Sequence, residues 1–294
     1  MKTNSIIFAL FLICANHTLS AGFPPQGTTT GIDEVIKDSV QHKNSLNIRY
    51  GDKPEAPYTS DTSSDRLLDL YLPTQRVHKK NPVFLFVHGG GFSGGDKSAT
   101  TGLFQTLARK GYAVLSINYR LYLKHHKIPG ASARANMSKG LRPDGQFHPA
   151  MQQAIQIATE DLNLAFTWVK QQHATYNFDL DRVFVAGGSA GAMAILNLAY
   201  ASGQQILPIR ATVNLWGGLQ DASVIQKNAP PMLTFHGDKD DLIHVDYAYA
   251  LDRRMKDLGL VSETHILKDQ GHALYNLIHK EYTDTIVHFL EAQK

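Results

Sequence analysis

From Arg66 onward, short apolar runs alternate with longer stretches in which apolar residues recur every three or four positions. The runs Leu67 to Leu72, Val83 to Val87, Ala113 to Ile117, Val183 to Ala186, Ala211 to Leu215, Met232 to Phe235 and Thr264 to Leu267 read as strands. Several are apolar at successive positions, the pattern of strands covered on both faces. Between them, Met151, Ile155, Leu162, Phe166 and Val169 keep to one side of a helix, as do Leu274, Ile278, Tyr282, Ile286 and Phe289 near the end. Strands alternating with helices predict an α/β fold with a mostly parallel central sheet and helices on both faces. No internal repeat is present.

Two stretches depart from this rhythm. Residues 21 to 63 are rich in Gly, Pro, Thr, Ser and Asp, with one helix-like stretch around Ile32 to Val40. They read as an N-terminal leader that packs over the domain or stays mobile. The connection between Arg120 and the helix starting near Ala150 is about thirty residues long, where most such loops take two to six. This insertion, residues 122–149, carries Lys124-His125-His126-Lys127, Pro129-Gly130 and Arg142-Pro143-Asp144-Gly145. An insertion of that length is either disordered or a functional lid, and after a strand end it can hang over whatever site the strand ends form.

The first twenty residues read as a signal peptide. Lys2 supplies the positive charge, Ile6 to Ala15 an uncharged apolar run, and Thr18 and Ser20 the small residues a signal peptidase reads. A run of ten residues is too short to cross a bilayer, which needs about 20, so no transmembrane segment is expected. Phe11-Leu12-Ile13 before Cys14 lack the small residues expected of a lipoprotein site. Cleavage removes the one cysteine in the chain, so the expected product is exported, periplasmic or secreted, and free of disulfides. Asn136-Met137-Ser138 matches a glycosylation sequon, a short pattern that also occurs by chance.

Charge narrows the partners. With 29 Lys and Arg against 26 Asp and Glu, the net charge of +3 gives a nucleic-acid partner no electrostatic support. The 43% hydrophobic and 19% charged content describes a globular chain.

Candidate chemistry gathers at the strand ends. Val183-Phe184-Val185-Ala186 runs into Gly187-Gly188-Ser189-Ala190-Gly191 and then into a helical pattern, Ala192 to Ala201. A Ser on a sharp strand-to-helix turn has an exposed hydroxyl, and small residues two positions either side let the turn close. The helix N-terminus there favours developing negative charge. Upstream, the strand Val83 to Val87 ends in His88-Gly89-Gly90-Gly91-Phe92. Ester and amide hydrolysis passes through an oxyanion that needs donors already in place, and a glycine-rich turn lets backbone N–H groups converge. A phosphate-binding loop is the competing reading, but the Lys-Ser/Thr that would follow it is missing.

Together the two motifs resemble those of the α/β-hydrolase superfamily, in particular bacterial carboxylesterases of the hormone-sensitive-lipase and acetyl-esterase type. The resemblance runs from about Asp65 to the C-terminus and includes Leu68-Asp69-Leu70-Tyr71-Leu72-Pro73 and Ile117-Asn118-Tyr119-Arg120-Leu121. It implies the α/β-hydrolase fold over residues 64–294 as catalytic domain, Ser189 as nucleophile, and the N–H groups of Gly90, Gly91 and Ala190 as oxyanion hole. Gly188 and Phe92 are candidate pocket residues. Phe92 stands where the family often has Trp, and it lines the acyl side or packs under the loop.

The order on this fold is Ser, then acid, then His. The family pattern His-Gly-x-x-Asp after a late strand selects Asp240, with Asp238 and Asp241 as competitors. His272, after the last strand and Gly271, is the candidate base, whereas His265 falls inside that strand and His279 and His288 in the final helix. His88 and His236 lack the i+4 partner of a helical metal site and read as structural hydrogen-bonding groups, so neither metal nor cofactor is expected.

The resemblance thus implies an exported serine carboxylesterase for short- to medium-chain or aryl esters, small or polymer-borne. A lipase would need an apolar lid, and the insertion is largely basic and polar. Acetyl or feruloyl esters on polysaccharides remain open, as does a binding module of this fold without catalysis. A peptidase of the prolyl-oligopeptidase kind has no room for its gating domain.

Overall fold

The computed structural model describes residues 44–293. The expected signal peptide with Cys14 and the stretch around Ile32 to Val40 lie outside the described residues. In chain order the elements are β1 (Asn44–Arg49), β2 (Leu67–Tyr71), β3 (Asn81–Val87), α1 (Thr101–Arg109), β4 (Ala113–Ile117), α2 (Tyr122–His125), α3 (Ala133–Met137) and α4 (Pro149–Tyr176). There follow β5 (Phe178–Gly188), α5 (Ala190–Tyr200), β6 (Ala211–Leu215), β7 (Met232–Gly237), α6 (Asp246–Asp257), β8 (Ser262–Leu267), α7 (Tyr275–Leu277), a π-helical turn (Ile278–Tyr282) and α8 (Thr283–Ala292). These strands form one sheet in the order β1-β2-β4-β3-β5-β6-β7-β8. β2 runs antiparallel to both neighbours, and from β4 to β8 every pairing is parallel.

Side chains of a strand point alternately to its two faces, and here both faces are covered. Val83, Leu85, Val87, Val183 and Val185 pack with Met151 and Leu162 of α4, Ile195 of α5 and Leu251 of α6. Their neighbours Phe84, Phe86, Phe184 and Ala186 face the other way, against Phe104 and Leu107 of α1 and Ile286 and Phe289 of α8. That two-sided burial is why the strands read as continuous apolar runs. Among the described residues no helix is long and apolar enough to cross a membrane.

The sheet reaches further toward the N-terminus than the composition suggests. β1 lies within the stretch read as a leader, yet it pairs with β2 at the sheet edge. Its alternation is broken, because the pairing shifts register between Ser45 and Ile48 and Asn47 takes φ 58°. Leu46 is left 58% exposed, so the strand lacks a clean apolar face.

The insertion is stitched to the domain. The Leu123 N–H donates to the Phe92 carbonyl (2.9 Å), the His244 N–H donates to that of Met137 (3.0 Å), and Ala131, Met137 and Phe147 are buried. Asn136 is buried too, and its amide donates to the carbonyls of Gly130 and Ser132 while accepting from the His148 N–H. An enclosed amide bonded at both ends offers no purchase for a glycan.

Asp161 of α4 is fully buried and accepts from Arg66 Nε (2.8 Å), the Arg120 N–H (2.8 Å) and Arg120 Nε (3.0 Å). It ties the start of β2 and the end of β4 to the long helix. Removing one partner of a buried pair strands the other charges. Asp161→Ala is expected to cost about 3 kcal/mol, read as a lower urea midpoint at unchanged slope.

Candidate active site

In an open parallel sheet, ligands bind beyond the carboxyl ends of the strands. Ser189 stands there, between β5 and α5, with φ 54° and ψ −119°. Its N–H donates to the Leu215 carbonyl (2.9 Å), which pins the turn to β6. The spacing of small residues has a direct cause. A Cβ on Gly187 would lie 2.5 Å from the Gly191 carbonyl carbon, and one on Gly191 would strike the Val87 carbonyl oxygen at the end of β3. The turn closes, and α5 docks on β3, only with both positions bare.

The glycine loop after β3 turns with φ 118° at Gly90 and 62° at Gly91. Among the described residues, the N–H groups of Gly90 and Gly91 donate to no protein acceptor, whereas the Gly89 N–H donates to the Tyr275 hydroxyl (3.1 Å). Ala190, as the first residue of α5, has an N–H without an intrahelical acceptor.

Three side chains from three strand ends meet. His272 Nδ1 lies 2.7 Å from Asp240 Oδ2, and His272 Nε2 lies 2.8 Å from Ser189 Oγ. An ionised carboxylate only accepts, so Nδ1 carries the proton and Nε2 is left to accept from the serine hydroxyl. The loops holding acid and base are tied together by the Lys239 N–H donating to the Gln270 carbonyl (2.8 Å).

Asp240 is built to stay charged. Burial opposes its charge, but hydrogen bonds from His236 and His272 and from the Ile243 N–H outweigh that and hold the carboxyl far below the usual carboxylate range. Its Oδ1 accepts from the N–H groups of Leu242 and Ile243. His236, fully buried, puts Nε2 2.7 Å from the Ile243 carbonyl and 3.3 Å from Asp240 Oδ2. The competitors stand elsewhere: Asp241 is exposed and pairs with Arg134 of the insertion (2.9 Å), and Asp238 is not bonded to His272.

Ser189 and His272 open into a cavity of about 410 Å³ lined by Gly89, Gly90, Gly91, Trp216, Leu242 and Tyr275, with Ser132, Ala133 and Arg134 of the insertion at its wall. Phe92 and Gly188 are not part of that lining. Phe92 is 1% exposed and packs edge-on to Tyr119 beneath the loop. Gly188 lies behind the wall, where a Cβ would run into the Tyr275 ring. His88 is buried, its Nδ1 donating to the Gly89 carbonyl (2.7 Å) and its ring stacked on Tyr119, and burial pushes its pKa down to about 4. Among the described residues no cluster of three or more His, Cys, Asp or Glu side chains is placed to hold a metal ion.

Tyr275 and Trp216 escape sequence reasoning. Their rings meet edge to face (5.0 Å), and burial pushes the Tyr275 phenol up to about 12, so it is neutral in any ordinary buffer. By accepting from Gly89, the hydroxyl positions the glycine loop. Tyr275→Phe keeps the ring and leaves that half-buried N–H without its partner, at a cost of about 1–2 kcal/mol. The expected result is a fall in kcat of about tenfold with KM little changed, against an unaltered far-ultraviolet spectrum.

The comparisons with known proteins agree with this architecture. A family model described as alpha/beta hydrolase fold matches residues 146–229, and one described as BD-FAE matches residues 68–134. The chain has the α/β-hydrolase fold. It is 34% identical over 142 residues to the fumonisin B1 esterase of Sphingopyxis macrogoltabida, covering 48% of this chain and 24% of that protein. It is 27% identical over 180 residues to secreted lipase 5 of Gibberella zeae, covering 58% and 30%. The chain thus spans less than a third of the length of these two relatives. Esterase 2 of Thermogutta terrifontis, solved phosphorylated by paraoxon, superposes with a TM-score of 0.61 at 18% identity, over 85% of this chain and 94% of that one.

Proposed function

We propose that the chain is an exported serine carboxylesterase that hydrolyses short- to medium-chain or aryl carboxylic esters. The observation that carries the reading is the hydrogen-bonded series Asp240, His272 and Ser189, opening into a cavity walled by the glycine loop. His272 Nε2 takes the hydroxyl proton as Ser189 Oγ attacks the ester carbonyl. The oxyanion that forms is met by the N–H groups of Gly90, Gly91 and Ala190. His272 then hands the proton to the leaving alcohol, and the acyl group stays on Ser189. Water, deprotonated by His272, hydrolyses that acyl-enzyme. Asp240 holds the imidazole in the tautomer required and stabilises its cationic form.

Esterase and lipase names among the relatives support the reaction class. Export is supported by the charge, apolar run and small residues of positions 1–20, and by the secreted relative. The test is hydrolysis of a 4-nitrophenyl ester series from acetate to palmitate. Turnover that peaks at short chains supports the esterase; a peak at palmitate would make it a lipase, and no turnover by folded protein would point to a narrow aryl or carbohydrate ester as substrate or to a binding module. A mature N-terminus at or near residue 21 in exported material is the matching expectation for the signal peptide.

A further inference from the structure

A second cavity adjoins the one at Ser189. It encloses about 380 Å³ and shares Gly91 and Ser132 with the first, so the two meet at the glycine loop and the insertion. Its other walls are Ser93, Leu123, Ile128, Pro129 and Ala131, with His126 and Lys127; no carboxylate lines it. The cavity is therefore an apolar annex with a cation at its edge.

The insertion is where the positive charge of the chain is concentrated. Residues 122–149 hold five Lys or Arg against one Asp, a local balance of +4 in a chain of +3. Most of those cations are engaged. Lys124 is held by Asp61 (2.7 Å), Arg134 by Asp241 (2.9 Å) and Arg142 by Asp144 (3.0 Å). Among the described residues Lys127 and Lys139 have no hydrogen-bond or ion-pair partner, and only Lys127 lines the annex. An uncompensated charge beside low-dielectric walls attracts ions of the opposite sign. A lysine, as a point charge on a flexible stem, accepts an anion in many orientations.

We propose that this annex is a subsite for a carboxylate carried on one arm of the ester, with an apolar spacer along Leu123, Ile128 and Pro129 and the anion at the Lys127 ammonium. The inference rests on the esterase reading and names the substrate class for the same site. It predicts a preference for esters bearing a remote negative charge over neutral esters of the same shape. Exposed ion pairs are modest, so the preference expected in kcat/KM is on the order of fivefold, and salt should shrink it.

The experiment uses two substrate series, so that either arm can carry the charge. One is 4-nitrophenyl half-esters of dicarboxylic acids, the other butyrate esters of ω-hydroxy acids; each is paired with its neutral methyl-capped counterpart. The readout is the charged-to-neutral ratio of kcat/KM for wild type, Lys127→Ala, Lys127→Glu and Lys139→Ala, at low and high salt. A ratio above one in either series, lost in Lys127→Ala, inverted in Lys127→Glu and kept in Lys139→Ala, supports the subsite. A ratio near one in both series, or one that survives Lys127→Ala, overturns it while turnover of the neutral esters leaves the esterase reading standing. Absence of turnover for every ester, charged and neutral, overturns both.

Discussion

Ser189→Ala is expected to lower kcat on a 4-nitrophenyl ester by a factor on the order of a million, the scale seen when a triad nucleophile is removed. The reason lies in how little else the substitution touches. Alanine keeps the Cβ, so the backbone at φ 54° is no more strained than before, and the Ser189 N–H still donates to the Leu215 carbonyl. Only the Oγ that faces His272 Nε2 at 2.8 Å disappears. The variant should therefore unfold at the wild-type urea midpoint while steady-state turnover vanishes. A residual acceleration of about a thousandfold over water is still expected, because the glycine-loop donors and the cavity remain. Retention of more than about 1% of the wild-type kcat would assign the chemistry to another nucleophile.

Asp240→Asn should cost roughly ten-thousandfold in kcat at neutral pH. Asparagine fits the space and keeps an acceptor for the N–H groups of Leu242 and Ile243, but it can turn an amide N–H toward His272 Nδ1. That bond favours the tautomer with the proton on Nε2, which then cannot accept from Ser189. Steady-state kinetics should show kcat falling with KM nearly constant. A loss below tenfold would mean that another carboxylate serves His272. The charged state adds a pH signature. Because folding depresses the Asp240 pKa, its stabilising contribution is complete above the unfolded-state value of about 4 and fades as pH falls through the lower folded-state value. Acid titration of wild type should thus show a loss of stability below about pH 4 that is smaller in Asp240→Asn, where the depressed carboxyls of Asp61, Asp65 and Asp96 still contribute.

Much of this arrangement is legible along the chain, for reasons that can be named. Strands buried on both faces must be apolar at consecutive positions, so Val83 to Val87 and Val183 to Ala186 announce themselves. A closed strand-to-helix turn tolerates no Cβ at Gly187 or Gly191, so its spacing is visible too. The identity of the carboxylate is less so. Asp238, Asp240 and Asp241 are near-equivalent in a loop, and only the path of that loop aims Asp240 at His272 and sends Asp241 to Arg134.

Where the reading falls short, the missing information is a contact between distant segments. β1 is an edge strand with a broken register and an exposed Leu46, so it has no periodicity to betray it. Tyr275 looks like one more aromatic at the start of the last helix, and its bond to Gly89 spans 186 residues. Phe92, adjacent to the loop glycines in sequence, takes φ 58° and lies buried away from the cavity lining. What the sequence by itself determined is the central strands, their alternation with helices and the three strand ends that hold the candidate site, since hydrophobic period and bare turns are local demands. What only the tertiary structure decided is which side chains share the cavity: Tyr275 and Trp216 from beyond their own strands, and Ser132 to Arg134 from the insertion. Those neighbours are chosen by the packing of remote segments, which leaves no periodic mark on any one of them.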